Sequence, residues 1–280
     1  MNIRDSQGTV PVRPIHRKMT NRNPHQMTDH ELLIRTAELE SIAPYLRGVE
    51  TLLDFGAGAG EQASLLSRTI PSVFAVDIKT HPKPVFPVLE YDGRTLPFRD
   101  CSFDCVFSSN VLEHVEDLPV IHTEIRRVLR NNGIVIHIVP THIWRFWTTI
   151  TYYPAYPKVL WSNFQNLRLM NRVIKETADN AAPQQRIFFR YRWLLSLLMS
   201  PRHGVRGNRL TEFWYFRPSW WEHHFEQFGW KILSSHPSGI FYSGNILFGR
   251  AVPLRTRKGI ARVLGSSTHC FILSSNPSSR

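Results

Sequence analysis

The sequence predicts an α/β protein with a doubly wound, mostly parallel sheet of seven strands. Short apolar segments of strand composition alternate with helical segments between residues 50 and 140. This alternation is typical of parallel sheets, in which helices connect neighbouring strands. At 280 residues, the chain is long enough to bury the large core that such a sheet requires.

The first part of the sheet is predicted from five apolar segments. They cover residues 50–55, 72–77, 88–92, 104–109 and 133–140. Apolar residues run together in these segments, as they do in strands that are buried on both faces. A helix is predicted over residues 118–130, because the glycine of the following Asn131-Asn132-Gly133 is typical of a helix end.

The end of the sheet is predicted from a second set of signals. Pro218 begins a helix, and Ser219 with Glu222 three residues later matches a capping box. Strands over residues 230–236 and 245–251 then pair as a hairpin and complete the sheet.

The first strand turns into a helix through a glycine-rich run, Asp54 to Gly60. Gly56, Gly58 and Gly60 permit backbone angles that side chains disfavour, and they let a ligand approach the main chain. The first turn of the helix offers free N–H groups to an anionic group. A dinucleotide loop would read G-x-G-x-x-G, but position 61 is Glu. The pattern therefore predicts a cofactor loop and disfavours NAD.

Acidic residues follow the next two strands. Asp77 ends the second strand, where its carboxylate can accept both hydroxyls of a ribose and would repel a 2′-phosphate. Asp92, before Gly93, ends the third strand and can accept from an exocyclic amine. The spacing predicts a nucleoside site along this edge of the sheet.

Together with the run Asn110-Val111-Leu112-Glu113-His114-Val115, these motifs resemble the class I S-adenosylmethionine-dependent methyltransferases, in particular the type 11 group. The resemblance covers residues 28–140 well and residues 218–252 loosely. It implies the Rossmann-like methyltransferase fold and S-adenosyl-L-methionine as the cofactor.

The resemblance also implies roles for individual residues. The glycine loop would pack against the methionine part of the cofactor, and Asp54 would orient its amino group. Asp77 would take the ribose diol, with Ile78 beside it. The remaining implied cofactor-binding residues are Asp92 and Gly93 at the adenine and Asn110 on the methionine side.

Three histidines are candidates for a general base. A hydroxyl or carbon acceptor must lose a proton, and a histidine with a pKa near about 6.5 suits that task. His142 follows the fifth strand, His203 lies in a turn of the following insert, and His114 follows the fourth strand. Many methyltransferases use no base, so that alternative stays open.

The predicted domain organisation has three parts. Residues 1–27 carry charges, prolines and asparagines but no apolar signal region, and they are expected to form a flexible arm. Residues 28–252 form the methyltransferase domain, in which 28–46 is an amphipathic helix over the cofactor site. Residues 142–217 are an insert that forms a lid for the substrate, and 253–280 are a basic, Ser-rich tail.

The insert at 142–217 concentrates the positive charge of the chain. It has 12 Lys and Arg against 3 Asp and Glu, and it holds 16 of the 33 aromatic residues. Such a segment suits an anionic headgroup, a lipid-linked substrate or stacked bases, or it packs as a helical lid. The apolar run at 187–199 has 13 residues and two arginines, which is too short for the roughly 20 residues of a membrane span. Peripheral contact with a membrane surface is the alternative.

Three cysteines, Cys101, Cys105 and Cys270, form no disulfide framework. They favour a reducing, cytoplasmic compartment. Cys101 and Cys105 lack a second ligand pair for zinc, so no metal site is predicted.

Three functions fit the sequence. The first is methyl transfer to a small-molecule, sugar or lipid-linked acceptor, which the large aromatic insert favours. The second is RNA methylation, suggested by the net charge of +12. Against nucleic-acid bases as targets, Ser108-Ser109-Asn110-Val111 lacks the proline-containing motifs of base methylation. The third is cofactor binding without catalysis. The oligomeric state is not predicted.

Overall fold

A computed structural model of the chain describes residues 2–5, 8–11, 29–154, 202–243 and 252–275. The strands are β1 (Asn2–Asp5), β2 (Gly8–Pro11), β3 (Thr51–Phe55), β4 (Ser72–Asp77), β5 (Leu89–Glu90), β6 (Phe103–Ser109), β7 (Leu129–Pro140), β8 (Trp230–Pro237) and β9 (Thr268–Ser275). The helices are α1 (Asp29–Ile42), α2 (Glu61–Leu66), α3 (Leu118–Val128), α4 (142–154), α5 (Glu212–Tyr215), α6 (Pro218–Gln227) and α7 (Leu254–Leu264). Short 3-10 turns cover Ala43–Leu46 and Leu112–His114.

Strands β3 to β9 form one sheet of seven strands in the order β5-β4-β3-β6-β7-β9-β8. The five strands from β5 to β7 are parallel, and β9 is antiparallel to both of its neighbours. Counted along the chain within this sheet, the order is 3-2-1-4-5-7-6. The predicted fold class, a doubly wound and mostly parallel seven-stranded sheet, is confirmed.

The sheet is buried on both faces, as its continuous apolar strands predict. Successive residues of β6 point to opposite faces: Val106 packs in the cluster that contains Ile125 of α3, and Phe107 packs in the cluster that contains Ile42 of α1. The chain leaves β3 toward β4 on one side and returns to β6 on the other. In open sheets of this type, ligands bind outside the carboxyl ends of the strands at this reversal.

The prediction that residues 254–275 belong to a C-terminal tail is wrong. These residues form α7 and β9, and β9 pairs with β7 from Ile134↔Ser274 to Pro140↔Thr268. The Ser-rich composition suggested a solvated tail, but the four residues 270–273 are fully buried. A short apolar run is enough for a strand that lies between two others, because both neighbours satisfy its backbone. The predicted domain therefore extends beyond residue 252, whereas the predicted arm, the insert and the start of the domain stay predictions.

The strand that pairs with β8 also differs from the one in the predicted hairpin. β8 pairs with β9, whereas the predicted strand at 245–251 lies outside the described residues. The same holds for most of the insert, residues 155–201, including the apolar run at 187–199. Within the predicted arm, β1 and β2 form an antiparallel pair that was not predicted.

The predicted helix over 118–130 is too long by two residues. It ends at Val128, and Asn131-Asn132-Gly133 belongs to β7. Leu129 pairs with Phe103 and Ile134 with Cys105, so the segment between them bulges. A Cβ atom at position 133 would lie 2.8 Å from the Leu129 side chain. The glycine is therefore required for close packing in the bulge, and it does not end a helix.

The predicted capping box is absent from α6. Pro218 begins the helix as expected, but the N-cap is Arg217 and no side chain caps it. Glu222 instead accepts a hydrogen bond from the Ser235 hydroxyl at 2.7 Å. Among the described helices, none combines the length and apolarity needed to cross a membrane.

Candidate active site

The glycine-rich turn lies at the carboxyl end of β3. Gly56 donates to the carbonyl of Val76 at 2.9 Å, which ties the turn to the neighbouring strand β4. A Cβ atom at Gly56 would lie 2.4 Å from the Val111 side chain, so this glycine is required for packing. Gly58 differs, because its φ is +57° but no atom lies within 4 Å of an added Cβ. The turn at Gly58 therefore borders open space, as a cofactor loop requires.

The Asp77 carboxylate closes this turn from the end of β4. One oxygen accepts from the amide of Gly58 at 2.7 Å, and the other accepts from the amide of Lys79 at 3.3 Å. A carboxylate has about four acceptor positions, so Asp77 can still accept hydroxyl groups of a ligand. Asp77 thus shapes the turn and remains available to a ribose.

Asp54 lies beneath the turn and is 2% exposed. Its Oδ2 has no hydrogen-bond partner among the described residues. Burial raises the pKa of Asp54 to about 7, and the charges of Asp77 and Glu61 act in the same direction, whereas Arg35 opposes them. A buried carboxylate of this kind is stabilised by a ligand that donates hydrogen bonds and carries positive charge.

The predicted adenine contacts lie at the next strand end. Asp92 accepts from the amides of Arg94 and Thr95 at 2.8 and 2.7 Å, and these bonds hold its pKa below the usual range. A Cβ atom at Gly93 would lie 3.5 Å from the side chain of Ile78, which is 64% exposed. Gly93 and Ile78 thus form an adjacent apolar surface that suits a flat ring.

Asn110 directly follows β6 and has φ of 55°, a left-handed conformation. Its amide donates to the carbonyl of Ile138 at 2.8 Å, and its side chain donates to the Ser109 hydroxyl at 3.1 Å. Asn110 also forms a side-chain hydrogen bond with Tyr242, whose pKa is raised mainly by burial. These contacts fix Asn110 at the end of β6. This strand lies next to β3, which leads into the glycine-rich turn.

A cavity of about 250 Å³ lies at the carboxyl ends of β6 and β7. The described residues that line it are Ile34, Arg35, Asn110, Pro140, Trp144, His203 and Tyr242. They come from α1, both strand ends, α4 and two later loops. The cavity therefore collects residues that lie far apart in the chain.

Of the three candidate bases, His203 lines this cavity. Its ring lies 4.5 Å from the Trp144 ring and 4.8 Å from the ring of His114, which is itself exposed. Burial lowers the pKa of His114, although the Glu113 charge opposes this shift. His142 is not among the described lining residues. Burial and then Arg217 lower its pKa, and its Nδ1 has no partner among the described residues.

Sequence reasoning missed the polar pair on α1. Arg35 donates to Glu38 at 3.0 Å and to the Ser109 hydroxyl at 3.4 Å, so it joins α1 to the end of β6. Glu38 is fully buried, and desolvation raises its pKa despite Arg35. The signal in the sequence is an Arg and a Glu three residues apart on the helix that is predicted to be amphipathic.

A second missed pair positions His203. Arg145 of α4 forms an ion pair with Glu212 of α5 at 3.0 Å, and both side chains are buried. The other oxygen of Glu212 accepts from the amides of His203 and Gly204 at 2.8 Å. Glu212 therefore fixes the backbone that presents His203 to the cavity.

The sequence family described as "Methyltransferase domain" matches residues 53–137. A malonyl-[acyl-carrier protein] O-methyltransferase of Xylella fastidiosa is 30% identical over 97 residues, 30% of this chain and 33% of that protein. A Mycobacterium tuberculosis protein named "Probable S-adenosylmethionine-dependent methyltransferase" is 31% identical over 99 residues, 33% of this chain and 36% of that protein. The chain thus spans about a third of the length of these curated relatives.

Among solved structures, a SAM dependent methyltransferase from Archaeoglobus fulgidus aligns over 88% of this chain and 94% of its own, with 15% identity and a TM-score of 0.47. One from Aquifex aeolicus aligns over 88% and 97%, with 13% identity and a TM-score of 0.43.

The strand order, the glycine-rich turn after β3 and the acid at the end of β4 define the class I S-adenosylmethionine-dependent methyltransferase fold. Residues 53–137 match the methyltransferase-domain family, and this match confirms the resemblance found in the sequence for this segment. That family uses S-adenosyl-L-methionine. The assignment of individual residues to the cofactor stays a prediction.

Proposed function

We propose that this protein transfers a methyl group from S-adenosyl-L-methionine to a small-molecule, sugar or lipid-linked acceptor. The observation that carries the proposal is the buried Oδ2 atom of Asp54, which has no hydrogen-bond partner among the described residues and lies beneath an open glycine-rich turn. Matching segments in methyltransferases support it. Burial raises the pKa of Asp54, and the nearby Asp77 and Glu61 add to this shift, so the turn suits a ligand with a positive sulfonium and an amino group.

The chain's own residues have separable tasks in this proposal. Asp54 holds the amino group of the cofactor, and Asp77 holds its ribose hydroxyls. Ile78 and Gly93 contact the adenine, with Asp92 at its polar edge. The cofactor supplies an activated methyl group when bound, so the protein mainly aligns donor and acceptor. Alignment of this kind accounts for about 7 to 11 kcal/mol of a barrier in favourable cases.

The acceptor would bind in the cavity beyond Asn110. At about 250 Å³, the described cavity suits one small molecule or the reactive end of a longer one. Trp144, Tyr242 and Ile34 provide apolar surface, and Arg35 provides a positive charge for an anionic group. For a hydroxyl acceptor, the proton must leave as the new C–O bond forms, and His203 is the candidate base that lines the cavity.

We place this activity in the cytoplasm. Cys101, Cys105 and Cys270 are all free thiols, and two of them are buried. Burial raises the pKa of Cys105 and of Cys270, so both remain protonated at neutral pH. Free thiols are expected in a reducing compartment.

Methyl-labelled S-adenosylmethionine tests the proposal. The protein is incubated with this compound and a cell extract, and the lipid, sugar, small-molecule and RNA fractions are separated. We expect label in one of the first three fractions and loss of that label in the Gly58→Ala variant. Label in RNA would contradict the proposed acceptor class. Cofactor binding without label in any fraction would contradict catalysis.

A matched pair of variants tests the base. His203→Gln is expected to lower the rate with the labelled acceptor by about 100-fold or more, because general bases contribute about that much. His142→Gln is the control, since the described cavity does not include it. Equal rates for the two variants would remove His203 from that role.

A further inference from the structure

Glu113 is a buried acid that the proposed methyl transfer does not use. It lies in the 3-10 turn Leu112–His114 that follows β6, and it is 1% exposed. Neither of its carboxylate oxygens has a hydrogen-bond partner among the described residues. A buried carboxylate without partners is costly, because the charge has lost its hydration. Its environment therefore indicates a missing positive partner.

Two imidazoles surround this carboxylate. Nε2 of His114 lies 3.8 Å from Oε1 of Glu113, and Nε2 of His203 lies 3.6 Å from the same oxygen. The three ligand atoms all lie within 4.8 Å of one another. Ligands bound to one tetrahedral ion at about 2.1 Å are separated by about 3.4 Å. Small side-chain rotations would bring the three atoms to that spacing.

We propose that Glu113, His114 and His203 bind a divalent transition-metal cation. Two imidazoles and one carboxylate form the ligand set of many open zinc sites and of non-haem iron sites. Three protein ligands leave further coordination positions for water or an oxygen of a bound molecule. The prediction of no metal rested on cysteine spacing alone, and this cluster contains no cysteine.

The backbone around the cluster is already fixed without a metal. The amide of Val205 donates to the carbonyl of Glu113 at 2.9 Å. Arg206 donates to the carbonyls of Leu112 and Val115, so its guanidinium holds the turn from outside. Glu212 fixes the amide of His203. The loop carrying His203 is thus held against the turn carrying Glu113. The backbone that carries the proposed ligands is therefore in position before a metal ion binds.

The competing account is that protonated histidines alone balance Glu113. Both imidazole–carboxylate distances exceed 3.5 Å, so neither is a hydrogen bond. Arg206 contributes a favourable charge at a distance, but its donors serve carbonyl groups. A cation that contacts Glu113 directly would satisfy the buried oxygens better.

The cluster also borders the proposed acceptor cavity, because His203 belongs to both. With a cation bound, Nε2 of His203 would be a ligand and could not accept a proton. The two roles of His203 are therefore exclusive. Metal binding itself does not depend on the proposed methyl transfer.

Titration of the metal-free chain of 280 residues with Zn²⁺ in competition with a chromogenic chelator tests the site. We expect one tight equivalent for the wild type. Glu113→Gln and His203→Gln are each expected to lower the affinity at least about 100-fold, the upper end of what losing an outer-sphere partner costs. His223→Gln is the matched control, because His223 is exposed and contacts Gln227 instead. Equal affinity for the wild type and both cluster variants would overturn the site.

Co²⁺ and thermal unfolding give readouts that do not depend on activity. We expect visible Co²⁺ absorption bands in the wild type and His223→Gln but not in Glu113→Gln. Zn²⁺ should raise the unfolding temperature of the wild type, since it binds the folded state, and leave Glu113→Gln unchanged. Identical unfolding with and without Zn²⁺ in the wild type would overturn the proposal. If Glu113→Gln does not fold, His203→Gln decides in its place.

Binding of S-adenosylhomocysteine is measured on the same samples to keep the two proposals apart. Nucleoside binding without Zn²⁺ binding would refute the metal site alone. Zn²⁺ binding without nucleoside binding would refute the proposed cofactor site alone.

Discussion

Two buried carboxylates at the ends of adjacent strands differ in their surroundings. Asp54 lies in β3 and Glu113 follows β6, and each has at least one oxygen without a partner among the described residues. Around Asp54 are an open glycine-rich turn and two further acids. Around Glu113 are two imidazoles. The same buried charge thus suits an organic cation in one place and a metal ion in the other.

A buried carboxylate does not by itself determine which ligand binds beside it. A Cβ atom added at Gly58 would meet no atom within 4 Å, and the Asp77 carboxylate that accepts from the Gly58 amide has acceptor positions left for a ligand. At Glu113 the nearby nitrogen atoms are close enough for only a single ion between them. Neighbouring groups and available space decide which ligand fits. Three variants test the Asp54 side of this comparison.

The largest expected effect is that of Gly58→Ala on cofactor binding. A methyl group would enter the space that the cofactor needs, and we expect S-adenosylhomocysteine affinity to fall at least about 1,000-fold, or about 4 kcal/mol, by calorimetry. Gly48→Ala is the matched control, because Gly48 also has a left-handed φ and no atom within 4 Å of an added Cβ. It precedes β3 at the opposite end of the strand. Unchanged affinity in Gly58→Ala would exclude the turn as the cofactor site.

The second largest expected effect is that of Asp54→Asn on the pH dependence of the free energy of unfolding. The pKa of Asp54 in the folded protein is about 7, above that of the unfolded chain. Between about pH 4 and pH 7 the Asp54 carboxyl group therefore binds more protons in the folded state, so its contribution to the free energy of unfolding should fall as pH rises and level off above about pH 7. Asp54→Asn should remove this slope and stabilise the ligand-free protein at pH 8 by about 2 to 4 kcal/mol.

Chemical denaturation of both proteins at pH 5 and pH 8 measures this difference. A saturating cofactor supplies the missing positive partner, so it should stabilise the wild type more than Asp54→Asn at pH 8. Parallel stability curves for the two proteins across this range would show that Asp54 does not carry the buried charge.

The smallest expected effect is that of Asp77→Ala. Charged hydrogen bonds to the ribose are worth about 1.5 to 3 kcal/mol each, so cofactor affinity should fall at least about tenfold. The effect includes a looser turn, since Asp77 also accepts from the amide of Gly58. Glu90→Ala is the control, because Glu90 is an exposed acid of the adjacent strand that bonds Thr80. Calorimetric affinity equal to that of the wild type would refute the ribose assignment.

Most of the proposed cofactor-binding residues around Asp54 could be predicted from the sequence, because the patterns that indicate them are local. The glycine-rich turn, the acid that ends β4 and the Asp92-Gly93 pair each follow a recognisable strand, and parallel strands bring their ends to one edge. The histidine candidates were also named, but sequence did not reveal that His114 and His203 lie together with Glu113. Their contact depends on how the loop that carries His203, within the insert, folds back onto the turn after β6, and hydrogen bonds of Glu212 and Arg206 fix this arrangement.

The sequence by itself determined the sheet class, the turn and the acids of the proposed cofactor edge, because strand period, glycine spacing and strand-end chemistry act within short segments. Only the tertiary structure decided that 268–275 is a central strand, that Arg35 and Glu38 join α1 to β6, and that two histidines surround Glu113. These features depend on contacts between distant segments. Their energy comes from burial and pairing that exist only after the chain has folded, so no local pattern encodes them.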